Sequence, residues 1–150
     1  MDSPTIFITG ATGFIGSHVV NTTLDAGYRV RLSVRKEEQI ATLRQLFSSS
    51  SARLEFVVIP DMSRNEAFEG KLDDVQYILH LASPMPGKGE DFMSDYLKPA
   101  VEGTITLLNA AKASSTVKRV VVTSSILACI PLGKSDDKTL HIKGKPVHSR

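Results

Sequence analysis

Three glycines, Gly10, Gly13 and Gly16, stand in the stretch TGATGFIG, directly after the β-branched run TIFIT. The spacing G-x-x-G-x-x-G suits one kind of chemistry. A chain that leaves a strand and turns at once into a helix aims unpaired backbone N–H groups, and the positive end of the helix dipole, at one point. A phosphate binds there when no side chain intervenes. A side chain at Gly10 or Gly13 is expected to hold a pyrophosphate away, and Gly16 to let the helix lie close on the sheet. A glycine-rich turn without a ligand is the plainer alternative. The strand before the glycines and the helix pattern after them favour binding.

A second group lies at the end of the next strand-like run, in LSVRKEE. Dinucleotide-binding folds read the adenosine ribose at this point, and an acid there accepts from the 2′-hydroxyl. Here Arg35 and Lys36 take the acid's place. A guanidinium can fork onto a phosphate and cover an aromatic face, so the pair predicts a 2′-phosphate and hence NADP(H). Glu37 and Glu38 come too late in the chain and read as a solvated helix start. A third group, Thr123, Ser124 and Ser125, ends the apolar run Val120–Val122 and would bring hydroxyls to the end of a buried strand.

These groups need a frame, and the chain alternates strand and helix patterns to supply it. TIFITG at 5 to 10 is a first strand, and FIGSHVVNTTLDAG at 14 to 27 a helix with Ile15, Val19, Leu24 and Ala26 inward, ending at Gly27. YRVRLSVR at 28 to 35 alternates strictly, with Arg29 and Arg31 on the polar face. EQIATLRQLF at 38 to 47 returns to helical spacing, and the serine run at 48 to 52 reads as a loop. LEFVVIPDM at 54 to 62 and VQYILHLAS at 75 to 83 are strands. AVEGTITLLNAAKAS at 100 to 114 is a helix with Val101, Ile105, Leu108 and Ala111 or Lys112 along one side, and VKRVVVTSS at 117 to 125 is the fifth strand. Alternation of this kind implies right-handed crossovers. The expected fold class is α/β, a three-layer Rossmann-type parallel sheet of about five strands in the order 3-2-1-4-5. The domain is expected over 1–130, followed by a polar loop or disordered tail over 131–150.

Composition narrows the function classes. A chain of 150 residues with 41% hydrophobic and 23% charged residues is ordinary for one globular domain. A net charge of +2 gives no case for nucleic acid as a partner. The apolar runs are too short to span a bilayer, and MDSPTIFITG lacks the pattern of a signal peptide. The single cysteine, Cys129, sits in an apolar run, so a buried thiol and a reducing, cytoplasmic setting are expected.

ITGATGFIGSHV, YRVRLSVR, PDM at 60 to 62, HLASPM at 80 to 85, KPAVEGTITLLNAAK and VKRVVVTSSI, in this order and spacing, resemble the extended short-chain dehydrogenase/reductases. The branch most similar is that of the dihydroflavonol reductases, cinnamoyl-CoA reductases and fungal aldehyde or ketone reductases. The resemblance covers about residues 5 to 130. It implies that Gly10, Thr12, Gly13, Phe14, Ile15 and Gly16 form a pyrophosphate loop, and that Arg35 with Lys36 holds the 2′-phosphate. Asp61 and Met62 would lie beside the adenine, and Leu81, Ala82 and Ser83 near the cofactor ribose. Thr123 and Ser124 would line the nicotinamide side. Ser125 would be the catalytic serine that hydrogen-bonds the carbonyl of a small-molecule substrate receiving the pro-S hydride of NADPH. Blander roles stay open for Asp61 (a turn cap), Ser83 (a loop start) and Ser125 (a strand-end hydrogen bond).

Two features separate this chain from its resemblances. Sugar epimerases of the fold carry asparagines just before the Gly-Thr of the long helix; here Pro99 and Ala100 stand there, as in the reductase branch, which weakens an NAD-dependent epimerase reading. The family also uses a Tyr-x-x-x-Lys pair after the serine strand, the tyrosine acting as proton donor. Tyr28, Tyr77 and Tyr96 are followed four residues on by Leu32, Leu81 and Ala100, and His141 and His148 in the polar tail are no substitute. The expectation is therefore a cofactor-binding part without its acid pair or substrate lobe. Two functions follow: part of an NADP-dependent carbonyl reductase, or a non-catalytic module that binds dinucleotide or a protein. An open edge on the fifth strand predicts self-association or a tail folded over it.

Overall fold

The computed structural model describes residues 3–84 and 90–125. Five strands, β1 (Thr5–Thr9), β2 (Arg29–Val34), β3 (Leu54–Val58), β4 (Val75–His80) and β5 (Arg119–Val122), form one sheet in the order β3-β2-β1-β4-β5. Every pairing is parallel. Helix α1 (Phe14–Asp25) links β1 to β2, α2 (Glu38–Leu46) leads toward β3, and α3 (Lys98–Ala113) precedes β5. The strand order and the crossovers are those of a Rossmann-like fold, as the alternating pattern requires.

β1 is central because TIFIT carries apolar or β-branched side chains on both faces, and all five of its residues are buried. Ile6 and Ile8 enter one core cluster with Val20, Leu24, Val30, Leu32, Leu43 and Phe47. Phe7 enters the other, with Ile59, Phe68, Val75, Ile78 and Leu107. Its ring meets Phe68 edge to face, at 6.2 Å between centroids. Each face of the sheet thus has its own core, and the order of β1, β2 and β4 is fixed by burial on both sides.

Two helix faces differ from the expectation. In α1 the buried residues are Gly16, Val20, Thr23 and Leu24, while Ile15 is exposed. In α3 they are Gly103, Leu107 and Ala111, and the stripe Val101, Ile105 and Leu108 faces outward. Small residues on the packed side explain both. Close approach of a helix to a sheet selects glycine, alanine and threonine beside Val20, Leu24 and Leu107, so the inner face is turned away from the most continuous apolar stripe.

The serine run forms a 3-10 helix, Ser48–Arg53, rather than a loop, with Arg53 donating to the Leu24 carbonyl at 2.6 Å. A π turn, Met93–Leu97, precedes α3 and has no counterpart in the sequence reading. Arg31 is not a surface residue: its side chain is 12% exposed. It donates to Glu55 on β3, to Asp74, and to the carbonyls of Lys71 and Asp73. This clamp ties the approach to β4 onto β2 and β3, and it holds Asp74 in the left-handed region at φ 57°. Cys129 and the polar tail lie outside the described residues.

Candidate functional site: a cleft at the carboxyl ends of the strands

Parallel strands bring all their carboxyl ends to one edge, and chains that leave a doubly covered sheet there open a crevice where the strand order reverses, between β1 and β4. A cleft of about 630 Å³ lies at that edge. The strands end earlier than expected, β3 at Val58 and β4 at His80, so Asp61–Met62 and Leu81–Ser83 belong to the connecting segments that wall the cleft.

Gly10 and Gly16 have steric reasons to be glycine. Gly10 has φ +78°, and a Cβ there would stand 2.7 Å from the Ala82 nitrogen. A Cβ on Gly16 would stand 2.0 Å from the Gly10 carbonyl oxygen. The first glycine is therefore needed for packing against the turn after β4, and the third for seating α1 on the loop. Gly13 differs, since its Cβ would meet only the Gly10 oxygen at 3.4 Å. It is the N-cap of α1, and no side chain caps this end. The first-turn N–H groups of α1 thus stay open to an anion.

At the other end of the cleft, the turn after β2 is fixed by Gln39, whose Oε1 accepts from the backbone N–H of Arg35 (2.9 Å) and Lys36 (3.1 Å). The Arg35 side chain lines the cleft, and Lys36 is exposed beside it. Asp61 forms a tight turn with Ser63, accepting from its hydroxyl (2.6 Å) and its N–H (2.9 Å). The Ser63 hydroxyl and N–H hold the Asp61 carboxyl below the usual carboxylate range, with help from Arg64 and Arg35. An ionised acceptor and a cation on a braced turn thus stand at one end of the cleft.

Of the residues singled out from the sequence, the cleft wall brings together Gly10, Thr12, Gly13, Arg35, Asp61, Met62, Leu81, Ala82 and Ser83. Phe14 and Ile15 are exposed on the first turn of α1, and Gly16 is buried beneath it. Thr123, Ser124 and Ser125 follow β5 at the same sheet edge. β5 pairs His80 with Val122, and the Thr123 N–H continues the ladder to the His80 carbonyl at 3.0 Å. They run on beyond the wall proper, beside the Leu81–Ser83 segment. The sequence reading missed Gln39, His80, Tyr96 and the start of α3 at Pro99, Ala100, Gly103 and Thr104, all of which line the cleft. The signal for His80 was present: a histidine inside YILHLA must be buried with partners.

Comparison with known proteins agrees with this geometry. The model of the NAD dependent epimerase/dehydratase family matches residues 6–148. The chain belongs to that family. Among its curated relatives, a ketoreductase of Aspergillus fumigatus is 46% identical over 132 residues, which cover 88% of this chain and 38% of the relative. The NADPH-dependent methylglyoxal reductase of Saccharomyces cerevisiae is 36% identical over 143 residues, 90% of this chain and 41% of the enzyme. The crystal structure of yeast methylglyoxal/isovaleraldehyde reductase complexed with NADPH superposes with a TM-score of 0.82 at 34% identity, covering 91% of this chain and 41% of that one. The chain therefore spans about two fifths of the length of these family members. Among the described residues no helix is long and apolar enough to cross a membrane, and no group of His, Cys, Asp and Glu is placed to hold a metal.

Proposed function

We propose that this chain is the NADP(H)-binding part of a carbonyl reductase acting on a small-molecule ketone or aldehyde. The observation that carries the reading is Arg35, a cation at the ribose-reading end of β2 where an NAD site has an acid, in a cleft whose opposite end is an uncapped helix N-terminus. The cleft fits the dinucleotide: Gly13, the N-cap of α1, sets no side chain at the helix end that lines the cleft, and the uncapped first turn of α1 offers N–H groups for a pyrophosphate. When bound, NADPH supplies a hydride.

The residues of this chain bind and orient. Thr12, Gly13 and the first turn of α1 take the pyrophosphate, and Arg35 with Lys36 takes the 2′-phosphate. Asp61, ionised, accepts from the adenine amine beside Met62. Leu81, Ala82 and Ser83 pass near the ribose, with Thr123 and Ser124 on the nicotinamide side. Ser125 donates to the carbonyl oxygen and orients it. Proton donation falls to a group outside these residues, because none of Tyr28, Tyr77 and Tyr96 has a lysine four positions on.

A second feature favours partner binding alongside this role. Val101, Ile105 and Leu108 on α3 and Val121 and Val122 on β5 are exposed, and among the described residues β5 pairs on one side only. Self-association through this region is the expected consequence.

Calorimetric titration with NADPH and NADH tests the main reading. Micromolar binding of NADPH, weaker binding of NADH, and selective loss of NADPH affinity in Arg35→Ala support it. Equal affinity for the two nucleotides, unchanged in Arg35→Ala, refutes the NADP assignment.

A further inference from the structure

His80 is buried at 3% exposure at the end of β4, and its ring bridges two elements of the cleft, β1 and α3. Its Nδ1 lies 2.7 Å from the Thr9 hydroxyl on β1, and its Nε2 3.2 Å from the Thr104 hydroxyl on α3. Hydrogen-bond accounting fixes the direction of every proton in this chain. A hydroxyl has one proton and two acceptor sites. Thr9 Oγ1 accepts from the backbone N–H of Ala82 (3.1 Å) and shares the N–H of Leu81 (3.2 Å) with the Thr9 carbonyl (3.3 Å). Its own proton goes to His80 Nδ1, because the Thr104 proton is committed to the Ala100 carbonyl and Nε2 must donate to Thr104. The neutral ring then carries its hydrogen on Nε2 and donates it to Thr104, whose hydroxyl donates in turn to the Ala100 carbonyl at 2.8 Å.

The same turn that Thr9 holds, Leu81–Ala82, is the surface against which Gly10 packs without room for a Cβ. A protonated ring would place hydrogen on both nitrogens. Nδ1 would then donate to Thr9 Oγ1 in competition with the Ala82 amide and the shared Leu81 amide, and the hydroxyl's hold on the turn would weaken.

We infer that His80 is a positioning residue for the nucleotide cleft: neutral, it locks the Leu81–Ala82 turn against Gly10 and the first turns of α3, and protonated, it loosens that turn. The ligand side of this inference rests on the dinucleotide-binding reading above. The surroundings of the ring are uncharged. β1 presents Thr9, α3 presents Ala100 and Thr104, and β5 presents Val122 and Thr123. Arg35, Asp61, Asp95 and Tyr96 line the cleft more widely, and Lys98 and Glu102 on α3 pair with each other. Burial is the cause that lowers the pKa of His80 from its ordinary value, so the ring is neutral at neutral pH and charges only in acid.

The test uses the 150-residue chain and its His80→Asn variant, which keeps an acceptor for the Thr9 hydroxyl and does not titrate. Long-range nitrogen–proton NMR of the wild-type ring at about pH 7.5 should show hydrogen on Nε2 and a bare Nδ1, since an unperturbed histidine is mostly neutral there. On lowering the pH, the Leu81 and Ala82 amide resonances should move with the His80 titration in the wild type and stay in place in His80→Asn. The affinity for NADP+ should fall further in the wild type than in the variant as the pH is lowered through the His80 titration, by roughly threefold to tenfold, the scale of one lost neutral hydrogen bond. The difference between the two proteins is the readout because the 2′-phosphate itself titrates near about pH 6. Hydrogen on Nδ1 at neutral pH, or amides of Leu81 and Ala82 indifferent to His80 protonation, would overturn the inference. If those amides respond but NADP+ binds to neither protein, the functional reading fails and the positioning role stands on the NMR alone.

Discussion

Placing a methyl group on Gly16 tests how the cleft is built. A Cβ at this position would lie 2.0 Å from the Gly10 oxygen, 2.8 Å from the Gly10 carbonyl carbon and 3.0 Å from the Ala11 Cα. Carbon and oxygen approach no closer than about 3.3 Å even in favourable contacts, so α1 and the loop must separate by roughly 1.3 Å. The loop cannot yield, since Gly10 is itself packed on the backbone of Leu81 and Ala82. The helix must lift instead, and Val20 and Leu24, at 0% and 2% exposure, lift with it. Overpacking of this kind costs about 1–3 kcal/mol, offset by up to about 1 kcal/mol from replacing a helical glycine with alanine. A net loss of about 1–2 kcal/mol in urea unfolding is expected for Gly16→Ala. NADPH affinity should fall at least about tenfold, because the displaced N–H groups no longer converge on the pyrophosphate. Gly27→Ala is the control. Gly27 has φ +88° with nothing within 4 Å of its Cβ, so the change strains the backbone by about 1 kcal/mol and leaves the cleft untouched. If Gly16→Ala retains wild-type stability and NADPH affinity, the steric account of the glycine loop is wrong.

Other outcomes follow from single contacts. Arg35→Ala should lose about 1.5–3 kcal/mol of NADPH binding, roughly tenfold to a hundredfold, with little change for NADH, as calorimetry would register. Arg31→Met removes the clamp on Glu55, Asp74 and two carbonyls and should cost about 1–3 kcal/mol in chemical denaturation, without altering NADPH affinity in proportion. Burial pushes the Glu55 carboxyl up, but hydrogen bonds from Arg31 and Arg29 outweigh it and hold it below its ordinary value of 4.5. The stabilisation from Glu55 is therefore present above pH 4.5 and is lost as pH falls through the lowered value. A thermal-melt series across that acid range should be steeper in the wild type than in Arg31→Met. Sedimentation velocity should show concentration-dependent association, reduced in Val121→Lys, because a charge on an edge strand opposes further pairing. A monodisperse monomer at all concentrations would count against the exposed β5 surface as a contact.

The sequence carried the fold class because five β-branched runs alternate with helical spacings, and that pattern admits few topologies. It also carried the cleft's ends, since glycine spacing and a cation after β2 are set by phosphate chemistry. Helix orientation was harder. In α3 the apolar stripe Val101, Ile105 and Leu108 dominates the periodicity, yet the packed side is Gly103, Leu107 and Ala111, where one core leucine sits between two small residues that let the helix come close. Arg31 misled for a related reason: strict alternation in YRVRLSVR suggests one solvated polar face, but on that face Arg31 is largely covered and paired with the part-exposed Glu55 and Asp74. The His80 network could not be read from spacing at all. Its members are 71 and 24 residues apart and meet only once β1, β4 and α3 are assembled.

The most direct test of the central claim is an amide chemical-shift map of the chain titrated with NADPH. The account predicts shifts at Gly10–Gly16, Arg35–Lys36, Asp61–Met62, Leu81–Ser83 and Thr123–Ser125, saturating together. A second hollow, between the segment at 65–74 and the end of α3 at Ala110–Ala113, should stay silent. Shifts confined to that second hollow, or none in a folded sample, would contradict the assignment of the strand-end cleft as the dinucleotide site.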